Sequence, residues 1–583
     1  MRRFGDWLDE RTGHRALVSR ALDEPIPGGA RWGYVWGSAL VLAFVVQGVT
    51  GWLLMTAYAP SAGAAWASVA YIQSAMSLGW LVRGLHHFGA QAMVVLLAVH
   101  MAQTALVGAY RRPREVNWWL GLGMLGVVMA LALTGYLLPW DQKGYWATRV
   151  ATGILGSFPG IGARIEALVV GGASYGGLTL TRFHALHVGL LPAAFVLLCV
   201  GHVALFRRHG ITVPVGVDPG RVDTFYPKQV ARDLVVGLVV LGVLVMLVVL
   251  THGAPLDAPA DPASDYPARP EWYFLPLFEL LKHMPGALEA VGAFGVPLVV
   301  VGYLAALPLL DTGAARGVRA RARWLVPLGV IAVGALALGS WSALSDARDA
   351  GYQQARRRAT ARAERAVALA RDGVPPEGPL AMLRRDPETR GPDLFAEHCA
   401  SCHRLGELGP PVGKESAPDL TGFGGRAWVL GVLAEPDAPH RFGRSPFKGM
   451  MPSMTRPPAD PEAARMWKAL SAEEMDTIAA FLTAEAEGRS QQMTAGQVLV
   501  KRRCTGCHRL DGWTDDDDSL APELRGWGSA GWIEAQIENP ASGKAYPKGA
   551  TAAALEGHMP GFGETMGAED RRVLAAWLGR AGR

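Results

Sequence analysis

The sequence predicts an all-α protein: a multi-helix transmembrane bundle followed by two small α-helical domains. Three observations predict it. Half of the 583 residues are apolar and only 18% are charged, a balance that points to a membrane protein. Seven apolar segments are long enough to cross a bilayer, at about 20 residues each. The last third then repeats one pattern twice, which marks an internal duplication. The net charge of +5 is small for this length and gives no case for a nucleic-acid partner.

The candidate spans lie at 35–56, 81–107, 117–138, 185–206, 234–251, 291–310 and 324–342. Their small residues let helices and flat cofactors approach closely. The N-terminus is charged and the first long apolar run begins near Trp36, so no cleavable signal peptide is expected and that run serves as span and export signal together. Arg111, Arg112 and Arg114 follow the second span. Arg207, Arg208, Arg221, Lys228 and Arg232 follow the fourth, and Arg316, Arg319, Arg321 and Arg323 the sixth. These connections share a side with the N-terminus, which the positive-inside rule makes cytoplasmic. An odd number of spans then puts the C-terminal domains on the other face, the periplasm of a bacterial inner membrane.

The second span carries His86 and His100, and the fourth carries His187 and His202. Polar rings deep in a bilayer are costly and functional by default. Fourteen residues span about 21 Å of helix and return to nearly the same face. Two such helices side by side supply two bis-histidine iron sites, one near each membrane surface. The fifteen-residue gap in the fourth span turns its second histidine about 60° off that face, an offset a haem is expected to tolerate. His87 and His184 fall outside the pairing and read as structural. Gly37 and Gly51, and likewise Gly121 and Gly135, are also fourteen apart. They would leave room for porphyrin rings.

Beyond the spans, Ser345–Ala370 reads as a helix leaving the membrane and Asp372–Pro379 as a linker. Two similar units follow, each with a short helix, a CxxCH run, a tryptophan-bearing helix (Trp428 or Trp532), a Met-Pro turn and a closing helix. Cys399, Cys402 and His403, and then Cys504, Cys507 and His508, have the spacing of covalent c-type haem attachment. Two thiols on one turn reach the two vinyl groups, and the next imidazole meets the iron. The sixth ligands are expected from Met-Pro turns, where proline restricts the preceding residue. That selects Met559 after His508, over its neighbour His558. After His403 it selects Met451 from the cluster Met450, Met451 and Met454. The run Asp515–Asp518 reads as a solvated loop, or as a dock for a basic partner.

These residues resemble the cytochrome b family of bc and bf complexes over about the first 345 positions. The motifs are Arg83-x-x-His86, Gly135-Tyr-Leu-Leu-Pro-Trp-Asp-Gln142, Thr181-Arg182-Phe183 ahead of His187, and Pro270-Glu271-Trp272-Tyr273. The wording Asp141-Gln142-Lys-Gly-Tyr-Trp146 and the fifteen-residue histidine gap are like the bf branch. The last third resembles class I cytochromes c. The expected organisation is 1–215 and 216–345 for the two parts of cytochrome b, 346–387 for a helical linker, and 388–486 and 487–583 for the cytochrome c domains.

The resemblance implies two non-covalent b haems, His86 with His187 and His100 with His202. With two covalent c haems, it implies a quinol–cytochrome c oxidoreductase subunit. Quinol would be oxidised beside Glu271, with Tyr136, Tyr145 and Tyr273 lining the pocket and Glu271 accepting a proton. Arg232 and Asp233 correspond to a second quinone site near the cytoplasm, and Arg83 is counted among the cofactor-binding residues. Implied partners are a Rieske iron–sulfur protein, membrane lipid, a periplasmic cytochrome c or terminal oxidase, and a second copy in a homodimeric complex. The alternative is a non-bifurcating electron-transfer module, which needs haems but no quinol pocket. Val35 stands where the bf branch places a cysteine for an extra haem, so no such covalent haem is expected.

Overall fold

Seven helices are long and apolar enough to span a bilayer: Trp36–Met55, Gly79–Val107, Glu115–Leu137, Gly177–His209, Phe225–Thr251, Val291–Leu310 and Ala322–Arg348. The computed structural model describes residues 2–490, 494–510, 521–542 and 559–581. The Asp515–Asp518 run and His558 lie outside the described residues. Large apolar side chains such as Leu197, Leu250 and Leu298 face outward from the spans, as lipid contact requires. The first span packs on the second and the third on the fourth, while the fifth covers the first two. Between the pairs sits a core of Ala39, Ala43, Met93, Leu96, Leu97, Val128 and Phe195. The chain divides after Leu380 into two structural units.

The fourth span corrects the expected 60° offset. At Leu186–Leu190 the helix widens to a π-turn, in which the Leu191 N–H donates to Leu186 O, five residues back. The next residue, Pro192, has no N–H to close an ordinary α-turn, so the extra residue is accommodated there. His187 sits inside this turn. Fifteen residues therefore bring His202 back to the face that fourteen reach in the second span.

Beyond the third span, Asp141 caps the helix Gln142–Gly156, its Oδ1 accepting from Gly144 N–H at 2.8 Å. The second and seventh spans are tied where the sixth ends. Buried Arg321 donates to Asp311 Oδ2 (2.8 Å) and to Ala105 O (2.6 Å), and the Tyr110 hydroxyl also donates to Asp311 (2.7 Å). Removing one partner of such a buried pair costs about 3–5 kcal/mol. The seventh span runs to Arg348. There Asp349 leaves helical geometry and caps the next helix, Ala350–Ala370, accepting from Tyr352 N–H at 3.0 Å.

Among the described residues of the second unit, six helices carry its packing: α1 (Pro387–His398), α2 (Arg426–Ala434), α3 (Ala472–Ala486), α4 (Thr494–Arg503), α5 (Ala530–Glu538) and α6 (Ala568–Ala581). α2 packs on α3 and α5 on α6, as the repeat predicts, but α1 packs on α6 and α4 on α3. A single core holds Leu394, Phe395, Phe481, Val500, Trp532 and Trp577 together.

Candidate functional site

The four histidines form two pairs. The His86 and His187 rings lie 6.2 Å apart between centres at 73°, and His100 and His202 lie 6.4 Å apart at 72°. Two metal–imidazole bonds of about 2 Å each, plus two ring radii of about 1 Å, need roughly 6 Å. The near-identical geometry at both levels follows from the π-turn.

Each ring faces one of the four glycines. A β-carbon would stand 3.8 Å from His100 Cε1 at Gly37 and 3.1 Å from His86 Cε1 at Gly51. At Gly121 it would stand 3.6 Å from His202 Cε1, and at Gly135 only 2.6 Å from His187 Cε1. At these glycines the first and third spans therefore bring bare backbone against the imidazoles, and the residues present fit two flat iron macrocycles.

Hydrogen bonds at Nδ1 settle which nitrogen is left for a metal. His187 Nδ1 lies 3.1 Å from Leu131 O, and His202 Nδ1 lies 3.0 Å from Asn117 O. A carbonyl only accepts, so Nδ1 carries the proton and Nε2 keeps its lone pair. His86 Nδ1 meets Thr50 Oγ1 at 3.0 Å. The Thr50 hydroxyl already donates to Val46 O, so it accepts from the ring. Thr134 repeats this beside His187, at 3.2 Å. His100 Nδ1 has no partner among the described residues. Thr50 and Thr134 each precede one of the glycines, and that adjacency was the signal for them in the sequence.

Glu271 does not cap the helix that follows it. Its Oε1 accepts from Lys143 Nζ at 2.8 Å and its Oε2 from Gln91 Nε2 at 3.4 Å, while Gln91 also accepts from Trp272 Nε1. Burial raises the carboxyl, but Lys143, then His87 and Gln91, outweigh it and hold the group below the usual carboxylate range. Sequence reasoning missed Lys143 and Gln91 as partners and set His87 aside. The Tyr136 ring lies under Lys143, 5.5 Å from its Nζ, and its buried hydroxyl has no partner among the described residues. Tyr273 meets Trp272 edge-on at 85° and packs at a tilt against Phe274. Nearby Asp141 is pushed up to about 6 by burial and then by Asp257.

Two expected residues are engaged elsewhere. Tyr145 is buried among Trp140, Trp146 and Tyr175, which makes it part of the core under the loop helix. Arg83 donates to Gln73 Oε1, Ala254 O and Pro255 O at 2.6–2.9 Å. It fastens the start of the second span to the segment after the fifth.

Arg232 and Asp233 also separate. Asp233 accepts from Ser38 Oγ (2.9 Å) and Gln229 Nε2 (2.8 Å). Arg232 lines a cavity of about 510 Å³ with Arg31, Trp32, Tyr34, Gln103 and Arg221.

In the second unit His403 Nδ1 lies 2.8 Å from Pro418 O, and His508 Nδ1 lies 2.8 Å from Pro522 O. Both imidazoles are thus held as Nδ1–H tautomers. The methionine turns superpose by their hydrogen bonds: Met454 N–H donates to Leu433 O, and Phe562 N–H to Ile537 O. Leu433 and Ile537 each lie five residues after the matched Trp428 and Trp532. Met454 therefore takes the place of Phe562, and Met451 the place of Met559.

Residues 91–259 match the N-terminal cytochrome b (b6/petB) family model and residues 259–353 the C-terminal cytochrome b (b6/petD) model. Residues 388–484 and 493–581 each match cytochrome c. Cytochrome b6 of Chlamydomonas reinhardtii is 35% identical over 215 residues, covering 37% of this chain and all of that protein. The chain belongs to the cytochrome b family. This cytochrome b-family chain is also 35% identical to cytochrome b of Rhodobacter capsulatus over 291 residues, 47% of the chain and 66% of that protein. A cytochrome bc complex cytochrome b subunit from Chlorobaculum thiosulfatiphilum is 36% identical over 276 residues, 46% of the chain and 64% of that subunit. The match thus spans just under two thirds of each of these two relatives. A solved structure titled hyperthermophilic respiratory Complex III aligns with a TM-score of 0.53 at 28% identity, covering 60% of this chain and 93% of that one. The chain is an integral membrane protein that joins cytochrome b to two cytochrome c domains, and these families bind haems b and c.

Proposed function

We propose that this chain is the cytochrome b/c subunit of a bc-type complex, a quinol–cytochrome c oxidoreductase of the bacterial cytoplasmic membrane. The observation that carries the reading is the pair of stacked histidine sites with Glu271 tethered beside the upper one, through Gln91, five residues beyond His86. His86 with His187 and His100 with His202 hold two b haems. Cys399, Cys402 and His403, and Cys504, Cys507 and His508, hold two covalent c haems. Bound haem supplies one-electron transfer across the membrane and onward on the periplasmic side.

Oxidation of a quinol to a quinone releases two electrons and two protons. Glu271 is a base in reach of one proton, kept ionised by Lys143, and passes it to water. Tyr136 offers the unpartnered hydroxyl that orients the ring. One electron leaves to a Rieske iron–sulfur protein on another chain, and the second reduces a quinone near the cytoplasm. The cavity beside Gln103, one turn from His100, suits that quinone, with Trp32 and Tyr34 as flat walls and three arginines for its oxygens. Periplasmic proton release then builds a gradient. The test is quinol-to-cytochrome c electron flow by the purified complex, with and without the Rieske protein. The reading expects flow only with it; equal flow without it would favour the non-bifurcating module.

A further inference from the structure

The helix pairing of the second unit departs from a chain of two self-contained haem domains. α1, ahead of Cys399, crosses α6 from the other repeat. The crossing is close: a β-carbon on Gly391 would stand 2.4 Å from Trp577 Cβ. α4, ahead of Cys504, crosses α3 in the same way, and a β-carbon on Gly496 would stand 2.4 Å from Phe481 Cβ. Ion pairs follow the same exchange. Arg390–Asp570 (3.2 Å) and Arg580–Glu388 (3.7 Å) lace α1 to α6, Arg385 just ahead of α1 pairs with Glu569 on α6 (2.9 Å), and Arg502–Glu474 (3.8 Å) joins α4 to α3.

The linker explains the exchange. α3 ends at Ala486 and α4 begins at Thr494. So short a connection leaves consecutive helices as antiparallel neighbours. α4 therefore takes the face of α3 that α1 would otherwise fill, and α1 takes the matching face of α6. Where the two repeats cross, Gly528 meets Gly424, its β-carbon falling 3.8 Å from Gly424 Cα. Phe423 and Trp428 pack at a tilt against Trp527 there, at 5.3 and 5.7 Å between ring centres.

The methionine turns travel with α3 and α6. Phe562, three residues after Met559, meets His398 at 5.8 Å between ring centres, directly before Cys399. Gln536 on α5 steadies Met559, its Nε2 3.6 Å from the sulfur. We infer that each c haem is completed across the repeats: Met559 faces the haem attached at Cys399, Cys402 and His403, and Met451 faces the one attached at Cys504, Cys507 and His508. This rests on the c-type attachment proposed above and reverses the pairing expected from sequence order. The two c sites become one interlocked body in which neither repeat holds its haem alone.

Two measurements on the full-length holo-chain test it. Carbodiimide condenses an amine and a neighbouring carboxylate to an amide, so an Arg390→Lys chain gives a cross-link that peptide mass spectrometry can place. A link to Asp570 is the expected result. A link to Glu474, the matching position on α3, overturns the exchange. In the second measurement, Cys504→Ser with Cys507→Ser leaves one covalent haem, and Met559→Leu or Met451→Leu is added. The far-red thioether band of the oxidised haem should vanish with Met559→Leu and persist with Met451→Leu. The reverse overturns the inference while leaving attachment intact. Loss of both covalent haems on replacing Cys504 and Cys507 alone would instead contradict the attachment reading.

Discussion

A β-carbon on Gly135 would stand 2.6 Å from Cε1 of His187, well inside the 3.5–4.0 Å at which carbons pack. The glycine is therefore part of the histidine's geometry. Two histidine pairs and two CxxCH motifs give an expected b:c haem ratio near one by pyridine haemochrome, and a third covalent haem would contradict the reading of Val35. Gly135→Ala should displace the imidazole and lower the b-haem content to about half, since a packed interior transmits such strain. Gly126→Ala, where an added β-carbon would meet nothing within 4 Å outside its own helix backbone, should leave the ratio alone. Equal ratios in the two variants would show that the close approach is not what holds the ring.

Glu271→Gln keeps size and hydrogen-bonding capacity but removes the proton acceptor. Quinol oxidation is expected to fall by up to about 10²-fold, the range for loss of a general base, with every haem spectrum unchanged. Wild-type turnover would remove Glu271 from the chemistry.

Lys143 supplies the pH dependence. It is the largest influence holding the Glu271 carboxyl down against burial, so the ionised base persists to lower pH than an ordinary carboxylate. Lys143→Met removes that influence and lets burial raise the carboxyl. As pH falls, the rate should then be lost at higher pH than in the wild type, moving the acid limb of the pH–rate profile upward. An unmoved acid limb, measured with intact b haems, contradicts the pairing.

The hydrogen bonds from Met454 and Phe562 to matching carbonyls make Met451 the counterpart of Met559. Met450 is exposed. Met451→Leu should abolish one far-red thioether band and lower one c-haem potential, whereas Met450→Leu and Met454→Leu leave both. Loss of the band in Met454→Leu would break the equivalence of the two turns.

Much of this was legible in the sequence because helical spacing is a local property. His86 and His100, and the glycines at the same interval, declare a shared face without any tertiary information. The π-turn at His187 was half-visible: Pro192 and the fifteen-residue gap were both in view, but only together do they require a widened turn. Lys143 lies 128 residues before Glu271, and no local pattern joins them. Tyr145 and Arg83 were expected at the site because their motifs adjoin it, and their packing contacts, with Tyr175 for one and with Ala254 and Pro255 for the other, come from segments no local pattern joins. The exchange of α1 and α4 was hidden for another reason. Both repeats carry the same glycine–aromatic crossing, so the sequence permits either pairing and the short linker decides.

The central claim is that the two electrons of one quinol take separate routes, and a single oxidant pulse tests it most directly. The purified complex, with its Rieske protein, is held with quinol until the iron–sulfur centre and c haems are reduced, and b-haem absorbance is followed as oxidant is added. If the routes are coupled at one site, oxidising the high-potential branch lets quinol react again and b-haem reduction rises. If the b haems instead stay level or oxidise with the pulse, the chain is a single wire and the account is wrong.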